Sequence, residues 1–279
     1  MRIASLGVLL SLVVSGAPAF AGEPTSDRIG ASFVERFARL DRNRWSISNG
    51  WSNGPHQNCT FSPNNVRLVD TGIELMLSDD KGRDRPFSCA EVQSSELYGY
   101  GTYEVRMRSA VAPGLVTAFF TYTGPGQKPG RPHDEVDFEF LGKNPKSVQL
   151  NFFASGKGEH GHDVDLAFDA SATVNDYAFE WLPDVMRWYV NGSLVHQIER
   201  AGMEHYPTNP GKIIISIWNG TGENMKNWLA EFKYPGKPLI AAYEYISFTQ
   251  AGAPCQFPKS IVCKKAASSS SGDPASLHR

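Results

Sequence analysis

The sequence predicts an all-β fold, and three observations favour a sandwich of two antiparallel sheets. The 26 glycines and 18 prolines make up about 16% of the 279 residues, against an average of about 12%, and this excess favours turns over long helices. Several short segments alternate between apolar and polar residues, which is typical of strands with one buried face. No internal repeat or linker divides residues 30–250, so these strands belong to one domain.

The composition supports a folded core and excludes one class of partner. Hydrophobic residues make up 41% of the chain and charged residues 20%, which is enough apolar material for a core. The formal net charge of -2 offers no electrostatic basis for binding phosphate backbones. We therefore expect no nucleic-acid partner.

The first residues are typical of a secretory signal peptide. Arg2 provides a basic start, residues 3–14 are apolar, and Ala19-Phe20-Ala21 has the small residues of a cleavage site. This apolar run is shorter than the roughly 20 residues that span a bilayer, and no later stretch supplies a membrane segment. We expect cleavage after residue 21 and a secreted or periplasmic protein without membrane association.

Strand signals recur along the body of the chain. Residues 102–108 alternate between apolar and charged side chains, with Tyr103 first on the apolar face. Residues 186–190 and 193–198 flank Asn191-Gly192, a pair that tolerates the positive φ angles of a tight hairpin turn. The best helical candidates are short, at residues 33–40 and 225–232.

Four cysteines, an even number, predict two disulfides in an oxidising compartment: Cys59, Cys89, Cys255 and Cys263. Proximity favours pairing Cys59 with Cys89 and Cys255 with Cys263, although four cysteines allow three pairings. Residues 264–279 lack apolar periodicity and predict a disordered tail. The predicted organisation is a signal peptide at 1–21, one domain at 22–263 and a tail at 264–279.

The chemistry concentrates in residues 133–142. In a strand, Glu135, Asp137 and Glu139 point to one face, and the apolar residues between them point into the core. Two glutamates on either side of an aspartate can converge to the carboxyl separation of about 5 to 5.5 Å that retaining glycosidases use. One glutamate would attack the anomeric carbon, while the other, its pKa raised by its anionic neighbours, would act as acid and base.

Two other interpretations of this segment remain open. An alternating acidic strand can be a solvated sheet face, and carboxylates near His133 can bind calcium or manganese. A second group, Glu159-His160-Gly161-His162-Asp163, resembles a metal cluster but also fits a solvated, glycine-rich loop.

Neighbouring segments favour a sugar-binding cleft. Residues 148–153 carry Gln149, Asn151 and Phe153 on one face, and residues 118–122 carry Phe120 and Tyr122 on one face. The indoles of Trp218 and Trp228 can stack on pyranose rings, although each aromatic residue is also a core candidate.

The segment 134–142 resembles the catalytic strand of the family 16 glycoside hydrolases, and in particular that of the bacterial licheninases. The similarity extends over residues 33–248 through several ordered motifs: Gly50-Trp51-Ser52-Asn53-Gly54, Cys89-Ala90-Glu91, Tyr98-Gly99-Tyr100-Gly101, residues 119–125 and Trp218-Asn219-Gly220-Thr221-Gly222. The resemblance implies a β-jelly-roll with a concave substrate cleft and endo-β-1,3-1,4-glucanase activity.

The resemblance also implies residue roles. Glu135 takes the position of the nucleophile, Glu139 that of the acid/base and Asp137 that of the assisting carboxylate. Substrate-binding positions fall on Asn53, Glu91, Phe120, Tyr122, His133, Asn151 and Trp218. Cys59 and Cys89 match the disulfide of the family.

Departures from the licheninase pattern bear on the substrate. His133 replaces a tryptophan and is shared with plant xyloglucan-active relatives, Phe153 replaces a tyrosine, and Gln93 replaces an arginine. The signal peptide and the Cys255/Cys263 segment resemble the exported glycanases that cut acidic exopolysaccharide such as succinoglycan. This branch is slightly favoured over plain licheninase.

The predicted function is therefore a secreted, endo-acting, retaining β-glycanase that acts on a polysaccharide as a monomer. No cofactor is expected in catalysis, and a structural calcium, common on such folds, would be bound mostly by backbone oxygens. The alternatives are a xyloglucan-type transglycosylase and a non-catalytic, lectin-like module on the same fold.

Overall fold

The computed structural model describes residues 28–158 and 160–270, with side chains up to residue 266. The predicted signal peptide and residues 271–279 lie outside this part of the chain. The strands are β1 (Phe33–Glu35), β2 (Trp45–Ile47), β3 (Cys59–Phe61), β4 (Val66–Val69), β5 (Gly72–Leu77), β6 (Phe87–Ser94), β7 (Gly101–Arg108), β8 (Leu115–Thr123), β9 (Asp134–Leu141), β10 (Ser147–Phe153), β11 (His162–Asp165), β12 (Asn175–Trp181), β13 (Val185–Val190), β14 (Ser193–Glu199), β15 (Lys212–Asn219) and β16 (Leu239–Gln250). The helices are α1 (Glu223–Leu229) and α2 (Ile261–Ser270).

The strands form two sheets of eight, which confirms the predicted sandwich. The front sheet has the order β11-β10-β9-β8-β15-β6-β2, and β3 also pairs with β6. The back sheet has the order β14-β13-β12-β7-β16-β5-β4, and β1 also pairs with β16. All pairings are antiparallel except that of β3 with β6. Sequence-distant strands therefore lie side by side at the centre of each sheet.

The core fills the space between the sheets. On the front sheet Val136, Phe138 and Phe140 of β9 are buried in it. From the back sheet Tyr177 meets the Phe138 ring at 5.6 Å and the Phe140 ring at 4.8 Å, both edge to face. This apolar contact fixes which face of β9 points away from the core.

The predicted hairpin is confirmed. β13 and β14 are antiparallel neighbours, and the turn residues Asn191 and Gly192 have φ angles of 49° and 85°. A helix also forms where 225–232 predicted one, as α1.

The prediction of a helix at 33–40 is wrong. Residues 33–35 form β1 and pair with β16, with Phe33 opposite Phe248. Phe37 then adopts a positive φ of 54°, and its N–H donates to Glu35 Oε1 at 2.7 Å. Residues 33–35 thus form a strand because they pair with distant β16, and the positive φ of Phe37 prevents a helix from continuing through this segment.

Residues 264–270 differ from the disordered tail predicted for them, because they belong to α2. A buried carboxylate of the back sheet accepts hydrogen bonds from donors at the start of this helix. Glu104 binds the Ser260 hydroxyl at 2.6 Å and the Ile261 N–H, which has no partner within the helix, at 2.9 Å. Ile261 packs on Ala178 and Tyr189. Neither α1 nor α2, the helices of the described residues, is long and apolar enough to cross a membrane.

Candidate active site

β9 presents its carboxylates on one face, as its alternation predicts. Val136 and Phe138 are buried between the sheets, whereas Glu135, Asp137 and Glu139 line a cleft on the opposite face of the front sheet. Burial of the apolar side chains therefore places the three carboxylates together in the cleft.

The registers of β8 and β10 surround each carboxylate with residues that also line the cleft. The opposed pairs are Tyr122 and Phe153 beside Glu135, Phe120 and Asn151 beside Asp137, and Ala118 and Gln149 beside Glu139. Aromatic groups thus border the carboxylate row on both sides, and amide groups border it on the β10 side.

Asp137 lies at the centre of the row and is 1% exposed. Neither of its oxygens accepts a hydrogen bond from a donor in the described residues. Burial, followed by the charges of Glu135 and Glu139, raises the pKa of Asp137 well above its usual range. The raised pKa favours the protonated form of Asp137, whose hydroxyl can donate to the neighbouring Glu135 carboxylate.

Glu139 is also poised to carry a proton. Burial, followed by the charge of Glu135, raises the pKa of Glu139 to about 8. Because the chain is extended, the Cα atoms of Glu135 and Glu139 are separated by roughly 13 Å, and the charge of Glu135 acts on Glu139 across the intervening Asp137. A protonated carboxyl beside an ionised one is the arrangement that acid-assisted glycoside cleavage needs.

Among the three carboxylates, Glu135 is the one in contact with a histidine side chain of the described residues. Its Oε2 lies 2.7 Å from His133 Nε2. The sequence placed His133 among the substrate-binding residues, and the structure places it against a carboxylate in the cleft.

The cleft has a volume of about 1550 Å³, above the roughly 300–1,000 Å³ typical of small-molecule pockets. All the predicted substrate-binding positions line it: Asn53, Glu91, Phe120, Tyr122, His133, Asn151 and Trp218. The structure brings these residues together, and their individual roles stay predictions.

One end of the cleft carries a buried carboxylate network. The Ser48 hydroxyl donates to Glu91 Oε1 at 2.6 Å, and the Gln93 amide donates to the same oxygen. Lys212 in turn donates to Gln93 Oε1 at 3.3 Å. Burial raises the pKa of Glu91 and lowers that of Lys212. The Gln93 side chain therefore links the Glu91 carboxylate to the Lys212 amine.

Indole side chains form another wall of the cleft. Trp228 of α1 donates its N–H to Gln149 Oε1 at 2.9 Å, and Gln149 donates to Asp163 Oδ1 at 2.9 Å. The rings of Trp218 and Trp228 lie 6.2 Å apart. Both atoms of the Gln149 amide are thus fixed beside Glu139.

Asp134, to which the sequence pattern assigned no role, anchors the start of β9. Its carboxylate accepts hydrogen bonds from the N–H groups of Ser155, Thr208 and Asn209 at 2.7 to 2.9 Å, and from the Asn209 side chain at 2.8 Å. These donors come from 21 to 75 residues along the chain, so no local pattern identifies them.

Both predicted disulfides are present, as Cys59–Cys89 and Cys255–Cys263. The 159–163 motif does not form a metal site among the residues described: no group of three or more His, Cys, Asp or Glu there could hold an ion. His160 stacks on Phe152 at 3.9 Å and His162 stacks on His196 at 3.9 Å, while Glu159 lies outside the described residues.

The sequence is similar to proteins named as a beta-glycanase and a beta-glucanase. It is 43% identical over 233 residues to the endo-1,3-1,4-beta-glycanase ExoK of Rhizobium meliloti (strain 1021), covering 84% of each chain. It is 40% identical over 244 residues to the beta-glucanase of Bacillus subtilis (strain 168), covering 88% of this chain and 94% of that protein.

The fold is similar to solved structures as well. The Bacillus licheniformis beta-glucanase superposes with a TM-score of 0.73 at 40% identity, covering 79% of this chain and 99% of that one. This match confirms the predicted jelly-roll. Residues 53–235 also match the profile of the glycosyl hydrolases family 16. The chain therefore belongs to the glycosyl hydrolases family 16 and is a glycoside hydrolase.

Proposed function

We propose that this glycoside hydrolase cleaves internal bonds of a β-1,3-1,4-linked glucan or of an acidic exopolysaccharide such as succinoglycan, with retention of configuration. The observation that carries the proposal is the row Glu135, Asp137 and Glu139 in one cleft, in which Asp137 is buried and the pKa of Glu139 is raised to about 8. The names of the relatives, endo-1,3-1,4-beta-glycanase and beta-glucanase, support the linkage.

In the first step Glu135 attacks the anomeric carbon as the glycosidic bond breaks. Glu139 gives its proton to the departing sugar oxygen, and a glycosyl ester forms on Glu135. Asp137 donates a hydrogen bond to Glu135, because burial and the charges of Glu135 and Glu139 raise its pKa and favour its protonated form.

In the second step water hydrolyses the glycosyl ester on Glu135. Formation of the ester removes the negative charge of Glu135, which is one cause of the raised pKa of Glu139. Glu139 therefore ionises more readily, takes a proton from water and directs the hydroxide to the anomeric carbon. Glu135 leaves as a carboxylate, and the site is restored.

The size of the cleft supports endo action on a polymer. Its volume of about 1550 Å³ accommodates several sugar rings, and Trp218 and Trp228 offer indole surface for stacking. Lys212 and the neutral Gln93 occupy one end. Gln93 cannot form the bidentate hydrogen bonds of an arginine, and this difference supports a substrate choice distinct from plain licheninases.

Other parts of the proposal concern the whole protein. We propose that it is exported after removal of residues 1–21, that it acts as a monomer and that catalysis requires no cofactor. A structural calcium bound mostly by backbone oxygens stays a prediction.

Reducing-sugar release from lichenan, laminarin, xyloglucan and succinoglycan, compared side by side, tests the proposed function. We expect release from lichenan or succinoglycan to exceed that from the other two, with the β-anomer as the first product by NMR. Preference for laminarin or xyloglucan, or an α-anomeric first product, would contradict the proposal. Products longer than the substrate would instead identify a transglycosylase.

A further inference from the structure

The imidazole of His133 is clamped by two aromatic residues. It stacks on Phe153 with ring centroids 4.5 Å apart and planes inclined by 17°, and the Tyr122 ring lies 5.1 Å away. Its main-chain carbonyl accepts a hydrogen bond from Gly156 N–H at 2.8 Å. Phe153 and Tyr122 are the cross-strand neighbours of Glu135, so the strand register directs the ring towards this carboxylate.

The clamp fixes a short contact. His133 Nε2 lies 2.7 Å from Glu135 Oε2, with side-chain exposures of 27% and 19%. Nε2 donates to an ionised carboxylate both in the imidazolium and in the neutral tautomer protonated at Nε2. The contact therefore does not require His133 to be charged.

We infer that His133 is a positioning residue for the nucleophile, which holds Glu135 Oε2 in a hydrogen bond so that the other oxygen faces the anomeric carbon. This inference rests on the proposed role of Glu135. It assigns His133 to the catalytic carboxylate, whereas the sequence pattern placed it in substrate binding.

The hydrogen bond acts unequally on the two steps. When Glu135 attacks, its charge moves into the ester bond, and a donor on Oε2 costs some nucleophilicity while it fixes the geometry. When water displaces the ester, the negative charge returns to Glu135, and the same donor stabilises the departing carboxylate. Loss of the donor should therefore slow deglycosylation more than glycosylation.

Other titratable groups surround Glu135 and must stay in place during the test. Asp137 and Glu139 lie on its own strand, Tyr122 faces it from β8, and Lys212 lies opposite Tyr122 on β15. Burial, followed by the charge of Glu135, raises the pKa of Tyr122. From β10 the opposed residue is Phe153, which does not titrate.

Two substitutions separate the hydrogen bond from the stacking. His133→Phe retains an aromatic ring over Phe153 and removes the donor. His133→Gln loses the ring but places an amide N–H at a reach similar to that of Nε2. His162→Phe is the matched control, because this histidine also stacks on a ring, that of His196, but at the β11 edge.

The measurement uses an activated aryl β-glycoside, whose departure needs no proton, so that kcat reports deglycosylation and kcat/KM reports glycosylation. We expect His133→Phe to lower kcat by about 10- to 100-fold, and kcat/KM by less. His133→Gln should retain most of the wild-type kcat, and His162→Phe should match wild type.

Unchanged kcat in His133→Phe would overturn the inference, and so would equal losses of kcat in the Phe and Gln variants. Glu135→Ala with azide separates this failure from failure of the proposed function. If azide restores turnover in Glu135→Ala while His133→Phe behaves as wild type, the inference about His133 alone is wrong. If Glu135→Ala retains wild-type turnover, the proposed mechanism itself fails.

Discussion

The indole N–H of Trp188 donates a hydrogen bond to the main-chain carbonyl of Asp137 at 3.2 Å. Trp188 belongs to β13 of the back sheet and is fully buried. The bond crosses the interior of the sandwich and reaches the central residue of the carboxylate row. The back sheet therefore supports the position of the site on the front sheet.

Trp188→Phe should lower both stability and turnover. We expect a loss of about 1–2 kcal/mol in the free energy of unfolding, because a buried carbonyl loses a partner and the side chain loses volume. Trp45→Phe is the control, since its buried indole donates to Glu35 Oε2 at 3.2 Å, outside the carboxylate row. Denaturant unfolding should show similar losses for both variants, and kcat of the folded enzyme should fall in Trp188→Phe alone. If Trp188→Phe and the control variant have the same kcat, the hydrogen bond from Trp188 to the Asp137 carbonyl does not support the site.

Glu135→Ala should lower turnover by several orders of magnitude while the fold survives, because the attacking carboxylate is lost. Azide should restore activity and give a glycosyl azide of inverted configuration, detected by NMR. Glu223→Ala removes another carboxylate that lines the cleft and should leave turnover near wild type. Turnover in Glu135→Ala equal to wild type would refute its assignment as nucleophile.

The pH dependence of activity should be bell-shaped, with a basic limb near pH 8 in kcat/KM, because Glu139 must be protonated for the first step and its pKa is raised to about 8. The three carboxylates titrate as a set, so each limb reports the set. Glu139→Ala should flatten the basic limb. It should also lose far less rate on an activated aryl glycoside than on polysaccharide. Equal losses on both substrates would show that Glu139 is not the acid.

Asp137→Asn should gain stability relative to wild type as pH rises. The pKa of Asp137 is raised in the folded state by burial and by its two neighbours, so the folded protein binds more protons than the unfolded chain. The contribution of the protonated Asp137 carboxyl to stability is complete at low pH and is lost as pH rises through the pKa of Asp137 in the folded protein. The asparagine does not titrate, and we expect the stability of this variant relative to wild type to increase from pH 4 to pH 9.

Denaturant unfolding at pH 4, 7 and 9 measures this gain. Asp169→Asn provides a control of opposite sign, because hydrogen bonds from Ser171 lower the pKa of Asp169. That variant should be the less stable one at neutral pH and approach wild type as pH falls. If Asp137→Asn and wild type show the same dependence on pH, the Asp137 carboxyl is not held protonated.

Reduction of Cys59–Cys89 should destabilise the protein more than reduction of Cys255–Cys263. The bonds join residues 30 and 8 positions apart, and the entropy of loop closure predicts a loss of about 2–4 kcal/mol for the longer loop and about 1 kcal/mol less for the shorter one. Cys-to-Ala pairs compared by thermal unfolding test the order. Free thiols at Cys59 and Cys89 in the non-reduced protein would contradict the bridge.

Local patterns were sufficient where one period or one turn decides the structure. The alternation through Glu135, Asp137 and Glu139 predicted which side chains face the cleft, because successive residues of a strand point to opposite faces. Asn191-Gly192 predicted the hairpin, because few residue pairs accept two positive φ angles. The resemblance to family 16 then implied the jelly-roll and the cleft residues around the carboxylates.

Contacts between distant segments decided the rest. Phe33 and Phe37 are four residues apart, as on one face of a helix, but Phe33 pairs with Phe248 on β16. The first N–H of α2, that of Ile261, donates to Glu104, which lies 157 residues earlier in the chain. His133 could be found as an unusual residue in the motif, yet its contact with Glu135 depends on Phe153 and Tyr122, which two other strands supply. The sequence by itself determined the face and order of the carboxylates, since these follow from one strand. Only the tertiary structure decided which of their pKa values are raised and which residues hold them in place, because burial and long-range hydrogen bonds arise when the two sheets pack.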